Sequence, residues 1–479
     1  MVTLETIEQQ LCAGQINALR FAWADQHGIL RGKTVIGDAA LSALKTGVSI
    51  TSTLIAKDTS GRTVFPVFTA SGNGFGIPAL KGAADVLMVP DASTYRQLPW
   101  ADKTGWVLCD LVYSGSQADD SKNHGEPVPF CTRHLLRTAL DKATARGWMF
   151  NVGIEVELHI FRRLSNDWGD SEAASPGAPG RAPEVALLNP GYQYLAEQRF
   201  DLMETALAPL RTQLLALGLP IRTMEVEFGP SQCEITLDVL PGLAAADAFV
   251  LLRSAVKQIC QRLGFHATFM CRPRIDHVMS SGWHLHQSLA NADTQRNCFI
   301  PTALDGTNPL GPVGMQYLAG LIAHAQAATV FAVPTINGYK RFRPNSLAPD
   351  RVLWGRDNRA AMLRVLGQVG DKASRIENRV GEPAANPYLY LSSQLLAGLD
   401  GVSNAMVAPP SADAPYETPA ATLPNDLHAA LRALDSSRLY RDAYGEDFVD
   451  YFIALKRAEL ARYEQEVSAW EQREYFEFF

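Results

Sequence analysis

Five short segments of this chain set carboxylates and imidazoles at alternate positions. They are Gly153-Ile154-Glu155-Val156-Glu157, Glu225-Val226-Glu227, Gln232-Cys233-Glu234, His284-Leu285-His286 and Arg375-Ile376-Glu377-Asn378-Arg379. In a β-strand residues i and i+2 share a face, so each segment aims two polar groups the same way. Unpaired carboxylates buried on a sheet are costly, and a fold that repeats them must cover them with something cationic. The pattern predicts a strand surface that carries metal.

A length of 479 residues exceeds one ordinary core and predicts two domains. Hydrophobic content of 47% with 19% charged residues fits a folded protein. A net charge of −7 argues against a nucleic-acid partner, which would call for a basic footprint. The cysteines (12, 109, 131, 233, 260, 271 and 298) are scattered, odd in number and free of CxxC spacing, which suits a reducing cytoplasm. The N-terminus lacks the pattern of a signal peptide, and no stretch reaches the length of a membrane span. The expectation is a cytoplasmic protein with no membrane partner.

Residues 16–36 alternate around the turn Gln26-His27-Gly28 and predict a hairpin. Short strands are expected near 51–56 and 85–90. Helical periodicity is weak before Phe130, apart from the extreme N-terminus. Thr132 is then expected to cap a helix ending at Gly147. A strand at 148–162, a solvated loop at 164–181, helix 200–217, strand 221–237, helix 243–263 and strand 266–272 follow. The segment from Asp426 onward reads as helical and ends in the apolar Tyr475-Phe476-Glu477-Phe478-Phe479, which a partner subunit would cover. Strands and loops give way to larger αβ units near 97–125.

Glu155, Glu157, Glu227, Glu234 and Glu377, with His284, make six candidate ligands, five of them oxygen donors. Such sets favour Mg²⁺ or Mn²⁺ over zinc and suit phosphoryl transfer. Any one of these acids alone reads equally as a solvated strand residue. A second cluster is basic: Arg341, Arg343, Arg351, Arg356, Arg359 and Arg364, followed by Arg375 and Arg379. Guanidinium forks bind carboxylate and phosphate bidentately, so acids beside arginines imply anionic substrates such as ATP plus a carboxylic acid. Arg343, Arg351 and Arg356 also fit a solvated loop. No phosphate-binding G-x-x-x-x-G-K-[ST] loop or G-x-G-x-x-G unit is present.

Together these segments resemble the glutamine synthetases over essentially the whole chain. The matching motifs are Gly153–Glu157, Glu227-Phe228-Gly229-Pro230-Ser231-Gln232-Cys233-Glu234, Ser281-Gly282-Trp283-His284-Leu285-His286-Gln287-Ser288-Leu289, Tyr339-Lys340-Arg341 with Ala348-Pro349, Asn358-Arg359, and Arg375–Arg379 continuing to Ala385-Asn386-Pro387-Tyr388-Leu389. The resemblance implies an α+β fold with an N-terminal β-grasp domain over residues 1–110. A catalytic domain over 111–479 follows, with a curved antiparallel sheet, flanking helices and a C-terminal helical tail. It also implies a homo-oligomer, a double-ring dodecamer with active sites between subunits.

Carried over by position, Glu157, Glu227 and Glu234 resemble ligands of a first metal, and Glu155, His284 and Glu377 those of a second. Arg359 and Arg364 resemble catalytic residues that stabilise the transferring phosphate. His286, Ser288, Arg364 and Arg375 resemble ATP contacts. Arg341 and Arg379 resemble the clamp on the glutamate carboxylates, with Glu157 and Ser280 beside the same substrate. The implied chemistry uses L-glutamate, ATP and two or more Mg²⁺ or Mn²⁺ ions, and passes through γ-glutamyl phosphate.

The departures fall on the amine side. Ammonia-using members carry an aspartate where this chain reads Ser49-Ile50-Thr51-Ser52-Thr53-Leu54, and a flap glutamate where Asn345-Ser346-Leu347-Ala348-Pro349 has Leu347. Met279-Ser280-Ser281-Gly282 also replaces Asn-Gly-Ser-Gly, with added bulk at Ser280. Arg31-Gly32-Lys33 and Lys57-Asp58-Thr59-Ser60-Gly61 resemble the γ-glutamyl-polyamine and γ-glutamyl-anilide branch. Tyr416 reads as an ordinary loop tyrosine. These features predict a ligase that joins glutamate to an apolar or aromatic, aniline-like amine in amine catabolism. A γ-glutamylpolyamine synthetase, with Asp58 as a possible acid for the distal ammonium, is the alternative. A true glutamine synthetase and a non-catalytic ring-forming relative come after it.

Overall fold

The structure, a computed structural model, describes residues 2–69, 76–114, 125–165, 167–301, 308–343 and 347–479. A helix α1 (Leu4–Cys12) leads into the strands β1 (Ala18–Ala24) and β2 (Leu30–Ile36), the hairpin that the alternation around Gly28 predicts. Helix α2 (Asp38–Thr46) follows, and then β3 (Val48–Thr51), β4 (Asp85–Gln97) and β5 (Thr104–Tyr113). These strands form a five-stranded sheet in the order β2-β1-β5-β4-β3, with β1 and β5 parallel.

The larger sheet has ten strands: β6 (Trp148–Arg163), β7 (Val185–Ala186), β8 (Ile221–Val226), β9 (Gln232–Leu237), β10 (Leu240–Pro241), β11 (Phe265–Thr268), β12 (Trp283–Asn291), β13 (Trp354–Arg356), β14 (Leu363–Leu366) and β15 (Arg375–Asn378). Its main path runs β13-β14-β15-β12-β6-β9-β8, antiparallel except for β13 and β14. The 16-residue β6 is the spine, since β7, β10 and β11 also pair with it. Phe150, Val152, Ile154, Val156, Leu158 and Ile160 alternate along β6 with the polar face and are all buried. They share one core with residues of α3 (Thr132–Thr144), α4 (Glu197–Ala216) and α5 (Gly242–Arg262).

Helices α6 (Pro312–Ala323), α7 (Ala325–Ala332) and α8 (Pro387–Ser403) complete that layer, and α9 (Leu427–Asp435), α10 (Arg438–Tyr444), α11 (Glu446–Glu464) and α12 (Ala469–Tyr475) close the chain. Asp426 caps α9 by accepting from Ala429 N at 2.7 Å. The architecture is α+β. The buried Arg133 on α3 ties the five-stranded sheet to α5: its guanidinium binds Asp91 on β4 (2.7 Å), Asp110 on β5 (2.9 Å) and Asp247 on α5 (2.8 Å). Among the described residues no helix is long and apolar enough to cross a membrane.

Several expectations need correction. Residues 52–54 form a 3₁₀ turn, so the strand expected at 51–56 ends at Thr51. The cap of α3 is Cys131, and Thr132 is the first helical residue, its hydroxyl accepting from Asn386 at 3.2 Å. The single strand expected at 221–237 is a hairpin, broken at 227–231 by a turn centred on Gly229-Pro230-Ser231.

Candidate active site

The strand register assembles the alternating segments into rows on one face. Directly opposed residues of an antiparallel pair share a face. Glu157 on β6 lies opposite Glu234 on β9, which lies opposite Glu225 on β8. Glu155 lies opposite His284 on β12. In the third row Gly153 faces His286, His286 faces Glu377 on β15, and Glu377 faces Arg364 on β14. Ser288 continues the same face of β12 beyond His286.

Hydrogen bonds fix the orientation of these groups. His284 Nδ1 lies 2.6 Å from Glu155 Oε1, and His286 Nε2 lies 3.2 Å from Glu155 Oε2. Arg375 Nε donates to His286 Nδ1 at 3.1 Å, so that nitrogen accepts and Nε2 carries the proton toward Glu155. Burial pushes the Glu155 carboxyl up, but its bonds to the two histidines outweigh this and hold it well below the usual range. His284 therefore donates through Nδ1, and its Nε2 lies 3.8 Å from Glu157.

Glu377 is wholly buried. Arg364 Nη1 donates to its Oε2 at 3.0 Å, and Arg379 Nη1 donates to its Oε1. Burial opposes its ionisation, yet His284 and Arg379 hold it below the usual carboxylate value. Arg379 Nε is buried with no protein partner among the described residues, a donor aimed at something the chain does not supply.

The other acids have no such compensation. Burial, then the charge of Glu157, pushes Glu227 up to about 8; burial, then Glu155 and Glu157, pushes Glu234 up to about 11. No cationic side chain is bonded to Glu157, Glu227 or Glu234 among the described residues. Glu227 and Glu234 resist ionisation without a cation, and with Glu157 beside them the crowded oxygen donors fit a hard divalent ion. Donor atoms of Glu155, Glu234 and His284 lie within 4.8 Å of one another, as do those of Glu155, His286 and Glu377. His286 thus joins the donor cluster although its sequence position suggested an ATP contact alone.

Arg341 is buried, and its Nη1 donates to the carbonyls of Arg379, Val380 and Gly381 at 2.9, 3.0 and 3.2 Å. Ser280, Arg359 and Leu347 make no side-chain hydrogen bond to the acid cluster among the described residues. Ser280 accepts from Arg272 at 2.9 Å, Arg359 is exposed, and Leu347 is 47% exposed. The backbone N–H of Leu347 donates to the Tyr416 hydroxyl at 3.2 Å, so that tyrosine anchors the flap. Asn345 and Ser346 lie outside the described residues.

Sequence reasoning missed the support behind Glu157. Gln232 Nε2 donates to Glu157 (3.2 Å) and to Ser281 (3.0 Å), and Ser281 in turn meets His159 (3.2 Å). Gln232 lies opposite His159 and two residues from Glu234, so the same period-two reading could have found it. Asp58 is also clarified. It is 1% exposed, and its Oδ1 accepts from Ser60 N (2.8 Å), Ser60 Oγ (2.6 Å) and Arg62 N (3.0 Å). Arg462 lies 3.5 Å from Oδ2, so this buried carboxylate is engaged by its own turn and one arginine. A cavity of about 470 Å³ lies between the β1–β2 turn, α5 and α11, and contains none of the candidate residues.

Residues 129–475 match the family model described as glutamine synthetase, catalytic domain. The chain belongs to the glutamine synthetase family. It is an enzyme of the carbon–nitrogen ligase class, as its relatives in this family are. It is 42% identical over 477 residues to a γ-glutamylanilide synthase of an Acinetobacter species, covering 96% of this chain and 93% of the relative. A γ-glutamylethanolamide synthetase of Streptomyces coelicolor is 29% identical, with 99% and 96% covered. A glutamate–isopropylamine ligase of a Pseudomonas species is 29% identical, with 96% and 95% covered. The solved structure of apo GmaS without ligand matches the whole of both chains, with a TM-score of 0.79 and 25% identity.

Proposed function

We propose that this protein is an ATP-dependent ligase that joins the γ-carboxylate of L-glutamate to an apolar or aromatic amine. The observation that carries the reading is the row Gly153–His286–Glu377–Arg364, where an acid face meets guanidinium groups on adjacent strands. A γ-carboxylate oxygen attacks the γ-phosphorus of ATP, ADP leaves, and γ-glutamyl phosphate results. The amine lone pair then forms the C–N bond, the C–O bond to phosphate breaks with its electron pair, and the nitrogen gives up a proton. Arg364 and Arg359 neutralise the phosphoryl oxygens. His286, Ser288 and Arg375 orient the nucleotide. Arg341 and the unpartnered Arg379 Nε bind glutamate carboxylates. Glu157, Glu227 and Glu234 would hold one Mg²⁺ or Mn²⁺, and Glu155, His284 and Glu377 a second. Such ions supply charge neutralisation for phosphoryl transfer.

The choice of amine rests on what the face lacks. Leu347 stands where a flap carboxylate would attract ammonium. The Ser49–Leu54 window has no acid, and Asp58 is committed to its own turn. An amine that is neutral at pH 7, as aniline is, needs none of these. The 42% identity to an anilide synthase supports the same choice. The exposed Trp470, Tyr475, Phe476, Phe478 and Phe479 support a ring-shaped homo-oligomer, and the seven free cysteines a reducing cytoplasm.

The test is phosphate release with glutamate, ATP and a panel of amines, with and without Mg²⁺ or Mn²⁺. Aniline or short alkyl amines are expected to outperform ammonia and putrescine, and only with a metal present. Ammonia exceeding every organic amine overturns the reading.

A further inference from the structure

An aromatic pair stands beside the acid face with no role in the chemistry above. Tyr194 and Phe228 stack with ring centroids 4.3 Å apart and an interplanar angle of 9°. Both stay open, at 44% and 41% exposure. Phe228 directly follows Glu227. Burial, then the charges of Glu227, Glu234 and Glu225, pushes the Tyr194 hydroxyl up to about 12 against the opposing charge of Arg359, so it lies near these acids and near Arg359. The pair therefore borders the β8–β9 end of the face, whereas His286, Arg364 and Arg375 occupy β12, β14 and β15 at the other end.

The segment that carries Tyr194 is held rigidly in an unusual conformation. Tyr192 N donates to Phe228 O (2.8 Å) and Leu195 N to Val226 O (3.4 Å), laying residues 192–195 along the turn after β8. Ser231 Oγ accepts from Leu188 N (2.8 Å), and Asn189 Oδ1 accepts from Gly191 N (2.8 Å). Within this clamp Gly191, Tyr192, Leu195 and Ser231 all have positive φ (81°, 68°, 55° and 56°). At Gly191 a Cβ would meet Pro230 N at 2.7 Å, so no other residue fits. Strained non-glycine backbone persists where surrounding bonds over-determine it, and it concentrates at binding sites. Here the strain fixes one aromatic ring against another at the mouth of a carboxylate cluster.

We propose that the Tyr194–Phe228 stack is the wall of the amine subsite, a platform on which a flat or apolar amine lies while its nitrogen points at the acyl carbon. This rests on the ligase reading above. Ring faces and carboxylates together present negative potential, which repels phosphate and glutamate carboxylates but favours an amine that gains positive charge as it attacks. An adenine platform is the competing use, and a rise confined to the KM of ATP is its signature.

The test compares wild type with Phe228→Val and Tyr194→Ala, using aniline and hydroxylamine as alternative nucleophiles with ATP and glutamate. Hydroxylamine traps an acyl phosphate as a hydroxamate and is too small to need a platform. The ratio of kcat/KM for aniline to that for hydroxylamine is expected to fall about tenfold in each variant. Tyr194→Phe, which keeps the ring, is expected to retain the wild-type ratio. An unchanged ratio in the truncated variants, or a rise confined to the KM of ATP, overturns the proposal. So does a wild-type enzyme that forms hydroxamate but accepts no apolar or aromatic amine. Absence of hydroxamate in the wild type is a separate result, which refutes the ligase reading itself.

Discussion

Arg341 lies against the bare α-carbon of Gly282: a Cβ added there would sit 2.5 Å from Arg341 Nη2 and 3.2 Å from His284 Nε2. The guanidinium cannot swing aside freely, because Arg379, Val380 and Gly381 hold its other nitrogen through their carbonyls. Gly282→Ala is expected to raise the KM for glutamate about tenfold, roughly 1.4 kcal/mol of lost binding, with a smaller effect on ATP. Steady-state kinetics with each substrate varied in turn checks this, and an unaltered glutamate KM would remove Arg341 from the glutamate clamp.

The flap offers a second point of control. Leu347 adopts φ +56°, and its N–H is tethered to Tyr416. Leu347→Glu is expected to raise ammonia use relative to aniline, because it restores a carboxylate where a small cation can be drawn in. Tyr416→Phe removes the acceptor and is expected to lower kcat/KM for all amines together, by about three- to tenfold, the worth of one hydrogen bond. Paired phosphate-release assays distinguish the two. A Leu347→Glu enzyme with the wild-type amine ratio would place discrimination elsewhere.

A third expectation concerns pH. Glu382 is wholly buried, where it accepts from Thr335 N and Thr335 Oγ1, both at 2.8 Å. Burial pushes its carboxyl up to about 7 despite those bonds. A group whose folded pKa exceeds its unfolded value near 4.5 contributes stability that is complete below that value. The contribution is lost as pH rises through about 7. Tm should therefore fall between pH 5 and pH 8 in the wild type and fall less in Glu382→Gln. Thermal melts across this range measure it, and parallel curves for the two proteins would contradict the assignment.

The acid face was legible because period-two spacing survives without knowledge of partners. Glu155, Glu157, Glu234, His284 and Glu377 needed only their own strands to declare a common side. What lay hidden depended on neighbours. α8 is buried on nearly every side and so shows no amphipathic stripe. The ten-residue β5 is buried along most of its length, and its near-continuous apolar run carries no alternation. Thr132 looked like a cap until Asn386, 254 residues away in sequence, claimed its hydroxyl. The Tyr194–Phe228 stack likewise joins residues that no local pattern connects.

The register of β6 carries a consequence for folding. A slip of one residue against β9 or β12 would turn Glu155 and Glu157 inward, toward the side where Val156 and Leu158 now pack, and would expose those apolar residues in exchange. Buried, unpaired carboxylates make that arrangement strongly unfavourable. The same acids that ready the protein for a cation therefore act as a proofreading device, since only the correctly paired sheet gives all of them a tolerable place.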